Sequence, residues 1–162
     1  MPLARRGVMT LTELLSDDLV VTGVRDDDVE AVLAQLTAPL VESGNVVGTE
    51  AILAALLARE KVLSTGVGHG IAIPHAISEA VSSPMVLLGI SPGGVDYRSM
   101  DGAPVHVFFV LLSPPDRASH HTRLLARIAR LARDPSFVEG LRTAADAHAA
   151  IDFIARYERT HG

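Results

Sequence analysis

The chain of 162 residues contains no cysteine and no tryptophan, and its aromatic residues are two tyrosines and four phenylalanines. The absence of cysteine excludes disulfides, thiolate nucleophiles and cysteine-ligated zinc sites. A basic excess is also absent, because 14 Lys and Arg residues face 19 Asp and Glu residues and the formal net charge is −5. Proteins that bind nucleic acids usually carry an excess of Lys and Arg. We therefore predict that this chain has no nucleic-acid partner.

Long hydrophobic runs are absent as well. The run VHVFFVLL at 105–112 is among the longest, and it is far shorter than the roughly 20 residues that a membrane-spanning helix needs. The first ten residues, MPLARRGVMT, include two arginines but no apolar segment of the kind found in signal peptides. We therefore expect a cytoplasmic protein without direct membrane insertion. Residues 1–9 are predicted to form a flexible tail, and residues 10–159 a single domain.

Segments typical of strands alternate with segments typical of helices. The Val-rich segment 19–24 and the almost continuously apolar segments 84–90 and 104–112 favour strands, the last two covered on both faces. Helical patterns occupy 26–44, where Pro39 is expected to kink or break the helix, and 49–61, 120–134, 136–144 and 146–159. This alternation predicts an α/β fold with a mixed, mostly parallel β-sheet sandwiched by helices.

The stretch LSTGVGHGIAIPHA, residues 63–76, is the part of the chain that most resembles a functional site. Its glycines are Gly66, Gly68 and Gly70. Glycines let backbone N–H groups approach an anion, so we predict that this loop binds phosphate. Alone, the loop is a weak signal, because it matches neither a Walker loop nor a dinucleotide fingerprint and leads into a strand-like run. A tight turn without any function is the simpler alternative.

His75 follows Pro74, and Pro74 restricts the backbone on both sides of itself. An imidazole that is held in one direction and partly exposed is a good nucleophile near neutral pH. Because the chain has no cysteine, histidine is also the strongest nucleophile available. The alternative is a structural histidine bonded to a backbone carbonyl. Arg59 precedes the loop, and His120 and His121 begin a later helix, so these side chains are candidates to join His75 around a phosphoryl group.

The stretch RE…STGVGHGIAIPHA resembles the phosphorylation-site signature of the fructose/mannitol/nitrogen-type enzyme IIA domains of the bacterial phosphoenolpyruvate:sugar phosphotransferase system (PTS), also called EIIA type-2. Two later segments, GVDYRSMDGAPVHVFFVLLSPP and HTRLLARIARLARDPSFVEGLRTA, are similar to segments of the same family in the same order. The resemblance extends over about residues 10–157. It implies the same α/β fold and a phosphocarrier activity.

The resemblance implies that His75 is the phosphorylated nucleophile, that His121 is the second histidine beside it, and that Arg59 is the arginine near the site. The doubled histidine leaves His120 as the alternative to His121, which we favour because it keeps the spacing to the following motif residues. Relatives usually have glycine where this chain has Ala76. A phosphoryl group shared by His75 and His121 requires imidazoles within about 10 Å of each other.

The resemblance also implies a relay without any cofactor or metal. His75 would accept a phosphoryl group from the carrier HPr and pass it to a cysteine of an enzyme IIB component, with association to a membrane IIC transporter as a further expectation. Two functions stay open at this point: uptake of a fructose- or mannitol-type sugar, and nitrogen-type regulation of other proteins through the phosphorylation state. A metal site formed by His69, His75 and His121 is a weaker alternative, because no carboxylate lies at a familiar ligand spacing.

Overall fold

The structure is a computed structural model and describes residues 10–25, 28–43 and 46–161. The predicted flexible tail, residues 1–9, lies outside the described residues. The helices are α1 (Leu11–Leu14), α2 (Val29–Thr37), α3 (Pro39–Ser43), α4 (Thr49–Val62), α5 (Ala118–Leu131), α6 (Pro135–Arg142) and α7 (Ala147–His161). The strands are β1 (Val20–Thr22), β2 (Gly66–Gly68), β3 (Ile71–Ala72), β4 (His75–Ile77), β5 (Met85–Val95) and β6 (Val105–Ser113).

The strands form one mixed sheet in the order β1-β5-β6-β3-β2, and β4 continues the line of β3 along β6. Three of the pairings in the described sheet are parallel, namely β1 with β5, β3 with β6, and β4 with β6. The pairings of β5 with β6 and of β2 with β3 are antiparallel. The predicted α/β fold with helices around a mixed, mostly parallel sheet is confirmed.

Helices cover both faces of this sheet. Side chains alternate along each strand, so Leu88 and Phe109 pack on one face while Leu87 and Phe108 pack on the other. We call the first face the α5 face, because α1, α5, α6 and α7 cover it, and the second the α4 face, because α2, α3 and α4 cover it. Burial of each large apolar side chain contributes roughly 1.5–3 kcal/mol before the entropy cost is subtracted. This double cover explains why β5 and β6 are almost continuously apolar.

Local sequence signals explain most element boundaries. The predicted helix over 26–44 is two helices, and α3 begins at Pro39, as expected of a residue that cannot continue a helical ladder. Asp134 caps α6 by accepting a hydrogen bond from the Ser136 N–H at 2.9 Å, with Pro135 in the first helical position. No helix among the described residues is long and apolar enough to cross a membrane.

Candidate active site

His75 is the first residue of β4, where the edge of the sheet is interrupted. β3 ends at Ala72, and the next two residues, Ile73 and Pro74, separate it from β4. The Ile73 N–H donates to the Thr65 carbonyl at 2.9 Å, and the Pro74 carbonyl accepts from the Leu111 N–H at 2.9 Å. The Ile73 carbonyl lies 2.7 Å from His75 Nδ1. Because a carbonyl only accepts, Nδ1 carries the proton and Nε2 keeps its lone pair.

His121 lies on the inner side of α5 and faces His75. The two ring centroids are 5.6 Å apart with the planes tilted by 55°. His75 pairs with Leu111 and Ile77 pairs with Ser113, so the side chains of these residues point to the α5 face of the sheet. There Ser113 Oγ lies 2.8 Å from His121 Nδ1. The sheet register therefore places both imidazoles on one face, within the 10 Å that a shared phosphoryl group allows.

The two consecutive histidines, His120 and His121, point in different directions from α5. His121 is buried at 5 % exposure and contacts His75, whereas His120 is only partly buried and has no ring contact with it. Within the described residues, Nδ1 of His120 is buried without a hydrogen-bond partner. Consecutive residues on a helix are separated by about 100°, so only one of the two can face the sheet. The structure brings the favoured residue, His121, to the site.

The surroundings of both facing imidazoles favour the neutral form over the protonated form. Burial lowers the pKa of His75, and the positive charge of Arg59 lowers it further, while the Ile73 carbonyl and the Glu60 carboxylate act in the opposite direction. Burial also lowers the pKa of His121, and the neighbouring His75 adds to this effect. A neutral imidazole has a free lone pair, so both side chains are suited to nucleophilic or hydrogen-bonding roles near neutral pH.

Arg59 lies in the last turn of α4, partly buried. Its Nη1 donates to the Leu63 carbonyl at 2.9 Å, which holds the side chain at the end of the helix. The guanidinium is close enough to His75 to lower the pKa of that imidazole. Of the residues predicted from the sequence, His75 and His121 are thus in contact, and Arg59 is near enough to act on His75 through its charge.

The glycines of the predicted phosphate loop belong to the β2–β3 hairpin, and phosphate binding by them stays a prediction. β2 and β3 form a hairpin in which Gly70 accepts hydrogen bonds from His106 and Val107 of β6. His75 pairs with Leu111, four residues further along the same strand. Ile71 pairs with Val107, so at about 3.3 Å per residue about 13 Å of strand separates its backbone from that of His75. Gly66 pairs with Ala72, three residues before His75.

Each of these glycines also has a structural reason for its position in the hairpin. Gly68 and Gly70 have φ angles of +95° and +80°, a region that residues with a Cβ rarely adopt. A Cβ at Gly66 would lie 2.9 Å from the Ser99 Cα, and the Gly66 N–H already donates to Ser64 Oγ at 3.1 Å. His69, at the tip of the hairpin with φ +60°, is exposed.

Sequence reasoning missed three residues around the site. Ser113 holds His121, and Glu60 accepts a hydrogen bond from the Tyr97 hydroxyl at 2.8 Å. Glu60 directly follows Arg59 in the RE pair of the motif, which is the only signal that pointed to it. Ser113 and Tyr97 carried no local signal, because their proximity depends on the strand register. Among the described residues, no group of three or more His, Asp or Glu is arranged to hold a metal ion.

Comparison with known proteins identifies the family of the chain. The family model for "Phosphoenolpyruvate-dependent sugar phosphotransferase system, EIIA 2" matches residues 13–157. The chain belongs to this family. As a PTS EIIA type-2 domain, it is similar to both sugar-transport and regulatory members.

Two relatives illustrate this division. The chain is 32% identical over 151 residues to the "PTS system fructose-specific EIIABC component" of Bacillus subtilis, an alignment that covers 93% of this chain and 24% of that protein. It is 33% identical over 147 residues to the "Nitrogen regulatory protein" of Bradyrhizobium diazoefficiens, covering 91% and 95%. The chain thus spans about a quarter of the first relative and nearly all of the second.

Solved structures share the fold. The "Nitrogen Regulatory Protein IIA-Ntr" of Neisseria meningitidis has a TM-score of 0.80 at 26% identity, covering 89% of this chain and 98% of that chain. The IIA mannitol component of Escherichia coli has a TM-score of 0.72 at 22% identity, covering 86% and 98%. A complex of enzyme IIAMTL with phosphorylated enzyme IIBMTL, also from Escherichia coli, gives 0.73 at 21%, covering 88% and 97%.

Proposed function

We propose that this PTS EIIA domain is a phosphocarrier that accepts a phosphoryl group from HPr on His75 Nε2 and passes it to a IIB component. The observation that supports this most strongly is the hydrogen bond of 2.7 Å between His75 Nδ1 and the Ile73 carbonyl. It fixes the tautomer in which Nε2 has its lone pair, and that tautomer faces a second neutral imidazole.

The transfer balances without a further reactant. The Nε2 lone pair of His75 forms a bond to phosphorus as the bond between phosphorus and the HPr imidazole breaks, and that imidazole keeps the electron pair. In the next step a IIB cysteine thiolate forms the bond to phosphorus, and His75 Nε2 leaves with its lone pair. Such a transition state is loose, so positioning and charge stabilisation supply most of the catalysis.

His121 and Arg59 have complementary roles in this proposal. If the Ser113 hydroxyl donates to His121 Nδ1, Nε2 of His121 carries the proton and is a donor to the phosphoryl oxygens. The Arg59 guanidinium supplies positive charge beside His75. These two groups stabilise negative charge where it accumulates during the transfer.

For the biological role, we propose uptake of a fructose- or mannitol-type sugar, with cytoplasmic localisation and with IIB and a membrane IIC component as later partners. The similarity to fructose-specific components supports this role. Nitrogen-type regulation is the second candidate, because a nitrogen regulatory protein matches over 95% of its own length and another has a TM-score of 0.80.

The experiment is incubation of the protein with labelled phosphoenolpyruvate, enzyme I and HPr. We expect one label per chain, labile in acid and stable in base, as for a phosphoramidate. The variant His75→Ala should take up no label. His69→Ala, which changes an exposed histidine of the hairpin, is the matched control and should be labelled like the original protein. Full labelling of His75→Ala would show that the phosphoryl group is carried elsewhere.

A further inference from the structure

Glu60 is the centre of a hydrogen-bond cluster behind His75. Its Oε2 accepts from the Thr65 N–H at 3.1 Å, and its Oε1 accepts from the Tyr97 hydroxyl at 2.8 Å and from the Thr65 hydroxyl. Both oxygens of Glu60 therefore act as acceptors, one for the Thr65 N–H and the other for two hydroxyls. Glu60 is partly buried, and it lines a cavity of about 540 Å³ together with Tyr97 and Ser64.

Tyr97 fixes this cluster to the core. Its side chain is 1 % exposed, and its ring packs edge-on against Phe108 of the central strand β6 with ring centroids 5.2 Å apart. Burial raises the pKa of the Tyr97 hydroxyl, and the neighbouring Glu60 carboxylate raises it further, so the hydroxyl stays protonated and donates to Glu60. Glu60 therefore has two supports: its own helix, α4, and the hydroxyl of Tyr97, whose ring packs against the sheet.

A short backbone path leads from Glu60 to the imidazole. Thr65, which Glu60 holds by both its N–H and its hydroxyl, accepts from the Ile73 N–H at 2.9 Å. Ile73 in turn presents its carbonyl to His75 Nδ1 at 2.7 Å. Ile73 lies where β3 has ended and β4 has not begun, so its peptide is outside the strand ladders. The Ile73 side chain is buried in the core, and its N–H is held by the bond to the Thr65 carbonyl.

We propose that Glu60 is a positioning residue which, together with Tyr97, holds the Thr65–Ile73 contact so that the Ile73 carbonyl keeps the proton of His75 on Nδ1 and leaves Nε2 free. The inference rests on the proposed function, because the free Nε2 is the atom that would accept the phosphoryl group. Glu60 touches neither His75 nor the phosphoryl group in this account.

The test uses the full chain with Glu60→Gln, which keeps the size of the side chain but replaces one acceptor oxygen by a donor. Glu50→Gln, an exposed position in the first turn of the same helix, is the matched control. Tyr97→Phe is a second variant, which removes one hydroxyl and keeps the ring against Phe108. The tautomer of His75 is measured by long-range ¹H–¹⁵N correlation, and the exchange of the Ile73 amide by NMR.

In Glu60→Gln we expect a mixture of His75 tautomers and exchange of the Ile73 amide that is faster by about tenfold. Phosphoryl transfer from HPr should fall about tenfold in kcat, with KM changed by less than about twofold, because positioning is lost and binding is not. Tyr97→Phe should change the same quantities by about threefold, and Glu50→Gln should change none of them.

The proposal is overturned if both variants keep a single Nδ1–H tautomer and the original exchange of Ile73. It is also overturned if Glu50→Gln shows the same changes as Glu60→Gln. If the original protein takes no phosphoryl group from HPr, the proposed function fails, but the tautomer and the amide exchange still decide whether Glu60 orients His75. The two failures are therefore distinguishable.

Discussion

The segment from Thr65 to Ile77 has two ends that look equally functional in sequence and differ in structure. At one end, His75 faces His121 with ring centroids 5.6 Å apart, and its Nδ1 is fixed by a backbone carbonyl. At the other end, the glycines shape a hairpin whose tip is held by a hydrogen bond from the His69 N–H to Asp101 Oδ2 at 3.3 Å. Because extended chain covers about 3.3 Å per residue, the five residues from Gly70 to His75 span about 16 Å.

Apart from the loss of His75 itself, we expect the largest effect on the rate of phosphoryl transfer at His121, which lies at the His75 end of the segment. His121→Ala should reduce the rate of phosphoryl transfer from HPr about 100-fold, because one donor to a developing anion contributes roughly 2.7–4 kcal/mol. Initial rates with phosphorylated HPr measure this effect. The melting temperature should be recorded in parallel, because His121 is buried at 5 % exposure.

His120→Ala is the matched control, because it removes the same side chain one position earlier and away from His75. Its rate should stay within about twofold of the original protein. If His120→Ala is the slow variant instead, the second histidine of the site is His120 and the described register of α5 is wrong at this point. If neither variant is slow, the second histidine has no role in the transfer.

The next largest effect is expected at Arg59. Arg59→Gln removes the charge and retains an N–H donor for the Leu63 carbonyl, so it tests charge alone. We expect transfer to fall about tenfold, which corresponds to about 1.4 kcal/mol. Lys61→Gln, which removes a charge from an exposed position in the same last turn, is the control. Equal effects of the two variants would mean that only the general positive charge of this helix end matters.

Much of this site could be predicted from the sequence because its signals are local. Pro74 restricts the backbone next to His75, and Arg59 lies at the end of a helical pattern just before the loop. The candidate roles of His75 and Arg59 could therefore be inferred from the neighbouring sequence. The choice of His121 over His120 depended on the family resemblance, because no local feature of the sequence distinguishes these two adjacent histidines. The angle of about 100° between consecutive helical residues shows which histidine faces His75 only once the position of the sheet relative to α5 is known.

The rest could not be predicted, because it depends on contacts between distant parts of the chain. Ser113 reaches His121 through the pairing of β4 with β6, and Tyr97 reaches Glu60 across 37 positions of sequence. Phosphate binding by Gly66, Gly68 and Gly70 stays a prediction. Their proximity to His75 in sequence does not fix the distance in space, because the hairpin extends Gly70 away from His75 along β6.

Changes in pH should distinguish the two ends. The pKa values of His75 and His121 lie below the ordinary value of 6.5, so the unfolded chain binds protons first and stability falls as the pH decreases below 6.5. Hydrogen bonding, first of all from the Ala103 N–H, lowers the pKa of Asp101 below 3.8, so its contribution is lost only below that value. Chemical denaturation between pH 7 and about pH 5 should therefore show a smaller loss of stability in a His75→Gln/His121→Gln double variant. An equal loss in both proteins would contradict the lowered pKa values.

The smallest effect on transfer is expected in the hairpin. Gly70→Ala forces a Cβ into φ +80°, which should cost about 1–2 kcal/mol in the free energy of unfolding. The transfer rate at 25 °C should stay within about twofold, because about 16 Å of extended chain separates Gly70 from His75. Chemical denaturation and initial rates measure the two quantities. If Gly70→Ala greatly lowered the transfer rate without lowering the free energy of unfolding, the result would support phosphate binding by the hairpin.

The most direct test of the account is the position of the phosphoryl group in the protein itself. The ¹⁵N-labelled chain is phosphorylated through enzyme I and HPr, and the ³¹P–¹⁵N coupling identifies the nitrogen that is bonded to phosphorus. We predict a single phosphohistidine, His75, substituted on Nε2, with Nδ1 still protonated towards the Ile73 carbonyl. Coupling to Nδ1 of His75, or to any nitrogen of His121, His120 or His69, would contradict the central claim that the Ile73 carbonyl selects the reactive atom.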